Sequence, residues 1–121
     1  MIIGIGVDIV DVERVEDLLR SFGDRLEEKL LSHHEREVVG SKARRAESLA
    51  ARVAAKEAVI KAFGTDELIP FRSIEIAGSG PLGVRLSGRA KRAFDAAGAA
   101  NIFVSISHEA ELAIAVAVLE G

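Results

Sequence analysis

Glu57 and Lys61 stand four residues apart inside an otherwise apolar stretch, residues 49–64, LAARVAAKEAVIKAFG. On a helix this order favours an ion pair. Facing a ligand, the same two groups would set a carboxylate toward a cation and an ammonium toward an oxyanion. Both readings are open from the spacing alone. A second carboxylate, Asp8, follows the glycine-rich run Gly4-Ile5-Gly6-Val7. Two acidic oxygens completed by substrate phosphates are a usual set for Mg2+, which keeps several waters and rarely has an all-protein cage. Phosphoryl-type transfer needs little more than positioning, a metal and a cation.

These groups need elements to hold them. Residues 49–64 are rich in Ala and carry no Pro or internal Gly, so they should form a helix. Apolar residues line nearly all of its circumference, which predicts burial. Arg52, Lys56, Glu57 and Lys61 therefore require partners. Residues 2–10 read as a strand with Ile3, Ile5, Val7 and Ile9 on one face. Gly4, Gly6 and Asp8 occupy the other face. That face is nearly bare, so something can approach the backbone beside Asp8. Asp11 is placed to cap the helix that follows.

That helix should cover residues 12–30, weakened or broken at Gly23. Ser32-His33-His34-Glu35 fits a capping box and starts a short helix ending near Gly40. The central helix begins around residues 44–47 and stops at Gly64. Strands are expected at residues 72–77 and 83–86 around a turn at 78–81. A helix capped by Ser87 follows, then strands at 101–107 and 112–119 joined by a turn at 108–111. The last strand is apolar on both faces, as a central or interface strand would be. The order predicts an α+β fold of helices packed on a small antiparallel sheet, with residues 1–121 as a single domain.

Composition narrows the function. The net charge of −3, with no Trp or Tyr, argues against nucleic-acid binding. The absence of Cys excludes disulfides and thiol chemistry. No apolar run reaches the length of a membrane span. The apolar N-terminus lacks a basic region and runs into Asp8 and Asp11, so it does not read as a signal peptide. A cytoplasmic location is expected. Gly78-Ser79-Gly80-Pro81-Leu82-Gly83 matches G-x-G-x-x-G, but Pro81 and a β-like run follow it where the dinucleotide motif requires a helix.

Three motifs together resemble one family. GIGVDIVDVER at residues 4–14, ARVAAKEAVIKA at 51–62 and SISHE at 105–109 are similar to the signatures of holo-[acyl-carrier-protein] synthases, the short class of 4'-phosphopantetheinyl transferases. Ser32-x-x-Glu35 matches the family's T-x-x-E. The resemblance covers the whole chain. It departs at Val53, where the family usually has Phe beside the bound cofactor.

The resemblance implies a 4'-phosphopantetheinyl transferase-like fold. It implies transfer of the phosphopantetheine arm from coenzyme A to a serine of apo acyl carrier protein, in support of fatty acid biosynthesis, with adenosine 3',5'-bisphosphate as by-product. It implies homotrimers with sites between subunits. Asp8 and Glu57 would hold Mg2+, and Lys61 would meet the diphosphate. Gly64 would leave room for the nucleotide, and Arg52, Pro81 and His108 would also touch coenzyme A. On the residues alone, His108 reads equally as a turn histidine. Arg14 would dock the acidic carrier by motif, with Arg25 beside it by helical phase. Arg20 is a weaker candidate, because Glu13, Glu16 and Asp17 dilute the patch. The serine proton would go either to Glu57 or to a positioned water. The water is preferred, since a carboxylate on Mg2+ is a weak base. Two other readings are a binding module that keeps the fold and a purely structural oligomerisation domain.

Overall fold

The computed structural model describes residues 1–40, 44–77 and 83–121. The elements run β1 (Ile2–Asp11), α1 (Val12–Phe22), α2 (Asp24–Leu30), α3 (His33–Gly40), α4 (Arg45–Phe63), a 3-10 turn (Phe71–Ser73), β2 (Ile74–Ala77), β3 (Gly83–Leu86), α5 (Gly88–Ala96), β4 (Asn101–Glu109) and β5 (Leu112–Glu120). β1, β5 and β4 form one antiparallel sheet with β5 in the centre, and β2 and β3 pair as a separate antiparallel hairpin. This is the expected α+β arrangement, with two small sheets in place of one. The turn expected at residues 78–81 lies outside the described residues.

α4 is the axis of the molecule. Eleven of its residues are buried, among them Leu49, Ala54, Ala55, Ala58, Val59 and Ala62. Its partners are chosen for closeness. β5 presents Ala113, Ala115, Ala117 and Leu119 to the core, all fully buried. β1 presents Gly4 and Gly6, where an added Cβ would collide with the carbonyl oxygens of Ala62 and Ala58. The bare face of β1 is thus occupied by the backbone of α4. Glycine on the strand and alanine on the helix let the two backbones touch.

One apolar cluster joins α4 to the three-stranded sheet, the β2–β3 hairpin and α5. A second joins the first half of α4 to Val12 and Val15 of α1, to Leu31 and to Val39 of α3. The other face of β1 remains open: Ile5 is 62%, Val7 52% and Ile9 59% exposed.

Local chemistry explains the element ends. Asp11 accepts a hydrogen bond from Glu13 N at 3.0 Å and caps α1. Gly23 takes φ 56° and breaks the expected 12–30 helix into α1 and α2. The capping box closes as expected, with Glu35 N donating to Ser32 Oγ (3.2 Å) and Ser32 N to Glu35 Oε1 (3.0 Å). Gly64 ends α4 in the left-handed conformation, φ 65°. Ser87 precedes α5, but its side chain makes no capping bond.

Two boundaries are corrected. Residues 71–73 form a 3-10 turn, so β2 starts at Ile74 and not at Arg72. The β4–β5 turn is shorter than expected: Ala110 takes φ 52°, and pairing continues to Glu109↔Leu112. His108 is therefore a strand residue, opposite Ala113.

Candidate active site

The strand–helix contact that needs Gly4 and Gly6 also brings Asp8 to α4. Asp8 continues the Gly4, Gly6 alternation along β1, while Lys61 lies one turn beyond Glu57 on the helix. The Lys61 ammonium donates to Asp8 Oδ1 and to the Val7 carbonyl, both at 3.0 Å. Of the two readings that the Glu57–Lys61 spacing leaves open, the direct ion pair is not formed, and Lys61 pairs with Asp8 instead. Glu57 is half-buried, and among the described residues its carboxylate makes no hydrogen bond or ion pair. Burial, and next the Asp8 carboxylate, push its pKa up, with Lys61 opposing.

Asp8 and Glu57 line a cavity of ≈ 680 Å³ between β1, α1, α2 and α4. Its walls are Val15, Leu18, Leu26 and Leu30, its floor includes Val53, and Arg14 and Lys29 are its cations. Val53, where the family has an aromatic, thus faces the same space as Glu57.

The hard-oxygen donors fit Mg2+. The two carboxylates share one cavity, and Lys61 pairs directly with only one of them. Among the described residues no cluster of three His, Cys, Asp or Glu forms, so the remaining oxygens would come from substrate phosphate and water.

Other expected site residues lie elsewhere in the chain. Arg52 is buried on the neighbouring flank of α4. Its Nη1 donates to Ser48 Oγ at 3.2 Å, and its Nε lies 3.6 Å from Glu35 Oε2. Burial pushes its pKa down against the pull of Glu35. Gly64 borders a separate cavity of ≈ 370 Å³ with Thr65, Glu67 and Arg92. His108 Nδ1 lies 3.6 Å from Glu47 Oε1. Glu47 lines a third cavity, ≈ 590 Å³, with Arg20, Arg44 and Arg45. Pro81 lies outside the described residues.

Arg14 lines the Asp8–Glu57 cavity, whereas Arg25 is exposed on α2 outside it. The helical phase that set Arg25 beside Arg14 assumes a continuous helix, and the break at Gly23 removes it. Lys29, one turn further along α2, takes the place beside the cavity. Arg20 is paired with Asp17, as the dilution by acidic neighbours anticipates.

Lys29 and the buried Glu35–Lys56 pair escaped the sequence reading. The alternation of basic residues across a helix break could have flagged the first. For the second, the signal was a buried lysine in need of a partner.

Comparison with known proteins closes the question of kinship. The family model of the 4'-phosphopantetheinyl transferase superfamily matches residues 4–117. The holo-[acyl-carrier-protein] synthase of Geobacter metallireducens is 40% identical over 124 aligned residues, covering 99% of this chain and 98% of the relative. The crystal structure of the Neisseria meningitidis holo-[acyl-carrier-protein] synthase superposes with a TM-score of 0.89 at 31% identity over 100% of both chains. That of the Helicobacter pylori enzyme in complex with coenzyme A gives a TM-score of 0.82 at 32% identity, covering 96% of this chain and 99% of the other. The chain belongs to the 4'-phosphopantetheinyl transferase superfamily, among the holo-[acyl-carrier-protein] synthases.

Proposed function

We propose that this chain transfers the 4'-phosphopantetheine arm of coenzyme A to a serine hydroxyl of apo acyl carrier protein, releasing adenosine 3',5'-bisphosphate. Residues 1–121 would act as a single Mg2+-dependent transferase domain supporting fatty acid biosynthesis in the cytoplasm. The observation that carries this reading is the meeting of Asp8, Glu57 and Lys61 where β1 crosses α4. The coenzyme A bound by the Helicobacter pylori relative supports the donor.

In the reaction the carrier serine oxygen bonds to the β-phosphorus, and the bond from that phosphorus to the bridging oxygen breaks. The bisphosphate leaves with that oxygen. Asp8 and Glu57 would hold Mg2+, which supplies charge neutralisation on the diphosphate oxygens. Lys61 carries the second positive charge at the same place and is free to turn from Asp8 to phosphate, its side chain being 52% exposed. The serine proton goes to a water held at the outer oxygen of Glu57 in preference to Glu57 itself. Arg14, at the cavity mouth, faces the acidic carrier, and opposite charge there speeds encounter and fixes register. Arg25 would act further out on the same docking face.

A homotrimer is supported by the exposed apolar face of β1, continued by Phe103 on β4 (55% exposed) and Val116 on β5. Contiguous apolar surface of this kind marks an association site. One chain does not place Arg52, Gly64 or His108 around Asp8. With sites between subunits, Gly64 and His108 would meet coenzyme A across the interface, together with Pro81.

The test is direct. Purified protein is incubated with coenzyme A, Mg2+ and apo acyl carrier protein, and the carrier is weighed by mass spectrometry. The expected outcome is the mass gain of one phosphopantetheine arm. Binding of coenzyme A with no gain on the carrier would favour the binding module and overturn the reading.

A further inference from the structure

Lys56 and Glu57 are consecutive on α4, yet they face different worlds. Glu57 lines the open cavity. Lys56 is fully buried, and its ammonium donates to Glu35 Oε1 at 2.6 Å, to the Leu30 carbonyl at 2.8 Å and to the Phe71 carbonyl at 3.0 Å. Three N–H groups meet three acceptors. Glu35 is also fully buried, and its remaining capacity is taken by Ser32 N (3.0 Å) and Ile76 N (3.2 Å), with Arg52 Nε at 3.6 Å. The other charge nearby is Glu75, which accepts from Ser32 Oγ at 2.7 Å.

The acceptors of Lys56 are distributed in a telling way. Leu30 ends α2, and Leu26, Lys29 and Leu30 form one wall of the cavity. Leu49, Val53 and Glu57 of α4 line the same cavity. Lys56 is therefore a tie between wall and floor, and Glu35 anchors that tie to the start of α3 and to β2. Side chains project about 5–6 Å from a helix axis, so rotating α4 by about 20° would displace the Glu57 carboxylate by about 2 Å. A displacement of about 1 Å at a reacting centre costs on the order of 100-fold in rate.

We propose that Glu35, acting through Lys56, is a positioning residue that fixes the rotation of α4 and the α2–α4 spacing, and so sets Glu57 opposite Asp8. This rests on the reading of Asp8 and Glu57 as the working carboxylates. Neither Glu35 nor Lys56 touches substrate; both act at a distance, through the helix.

The test uses the wild type, Glu35→Gln, Lys56→Met and the double variant. Each is measured for melting temperature, for Mn2+ affinity by electron paramagnetic resonance with coenzyme A present and no carrier, and for kcat and KM in the arm-transfer assay. Each single variant leaves a buried group without its partner and should melt lower. The double variant replaces the pair with neutral groups of similar volume and should recover most of the lost stability. It should nevertheless bind Mn2+ about tenfold more weakly and lose about tenfold in kcat, as is usual when support for metal-holding groups is removed. Its KM for the carrier should not change.

A double variant that recovers stability with wild-type Mn2+ affinity and kcat overturns the proposal. One that stays as unstable as the singles also counts against it, because the pair would then be a stability element first. The Mn2+ titration needs no turnover. A wild type that binds Mn2+ but transfers no arm defeats the proposed function alone, and the affinity of the double variant still decides the role of Glu35. A wild type that binds no Mn2+ overturns both.

Discussion

Two clusters of charge sit side by side on α4, and they are opposites. In the closed one, Lys56, Glu35 and Arg52 are buried, with five hydrogen bonds of 2.6–3.2 Å on the Lys56 ammonium and the Glu35 carboxylate. In the open one, Asp8 and Lys61 form a single ion pair at 3.0 Å, while Glu57 faces a cavity without a hydrogen-bond partner among the described residues. In the first, the Lys56 ammonium and the Glu35 carboxylate have met their hydrogen-bonding needs inside the fold, while Arg52 Nε, 3.6 Å from Glu35 Oε2, adds charge without a hydrogen bond. The second leaves such needs for something else to meet. A buried polar group that is satisfied specifies structure, and one left unsatisfied beside a cavity marks a site. Burial pushes the Lys56 pKa down, with Glu35 opposing. Burial pushes the Glu57 pKa up, and Asp8 reinforces the shift.

The comparison breaks most violently at Lys56. Lys56→Ala leaves the Glu35 carboxylate buried without its cation and opens a void. The expected loss is about 3–5 kcal/mol of stability, a large part of the roughly 5–15 kcal/mol typical of a domain. Urea unfolding followed by circular dichroism measures it. A loss under about 1 kcal/mol would show that the closed cluster is not a structural tie.

The next effect is on the contact that builds the open cluster. Gly6→Ala sets a methyl group against the Ala58 carbonyl and 2.9 Å from Ala62 N, both backbone atoms of α4. Neither can swing aside as a side chain could. The strand and helix must separate, at a cost of about 1–3 kcal/mol. Separation also moves Asp8 from Glu57 and Lys61. Arm transfer should therefore fall by more than the unfolded fraction accounts for, which parallel unfolding and rate measurements would show. Equal losses of folded protein and rate would sever the link between the close approach and the site.

These features differ in how openly the sequence shows them. Asp8, Glu57 and Lys61 are legible because charge stands out on apolar or glycine-rich elements and the motifs coincide. The bare face of β1 was legible too, but not its occupant: alternation tells that a backbone can come close, not which one. The Glu35 capping box is local and readable. Its bond to Lys56 spans 21 residues of sequence, and no periodicity reports such a contact. Helical phase cannot relate Arg25 to Arg14, because one φ at Gly23 resets it. The turn expected at 108–111 is too long because alanine seldom adopts the left-handed conformation that Ala110 takes here.

The smallest effect is the sharpest, because it has the opposite sign. The folded protein holds the Glu57 proton more tightly than the unfolded chain does. Between the unfolded pKa and the raised folded pKa, the native state therefore binds more protons. Stability is full below that window and falls as pH rises through it. Glu57→Gln removes the titration. Its melting temperature should stand increasingly above that of the wild type as pH rises from the ordinary carboxylate range toward neutrality. The gap should be small, about 1–3 °C, since solvent screens a half-exposed carboxylate. Mg2+ should narrow it by stabilising the ionised wild type. The same variant should lose arm transfer, with substantial recovery at high pH and high Mg2+ if water is the base. Neutralising one partner of the closed pair destabilises, whereas neutralising Glu57 in the open cluster stabilises and inactivates. A melting temperature for Glu57→Gln that falls below the wild type at neutral pH would mean that Glu57, like Lys56, already has its partner within the fold.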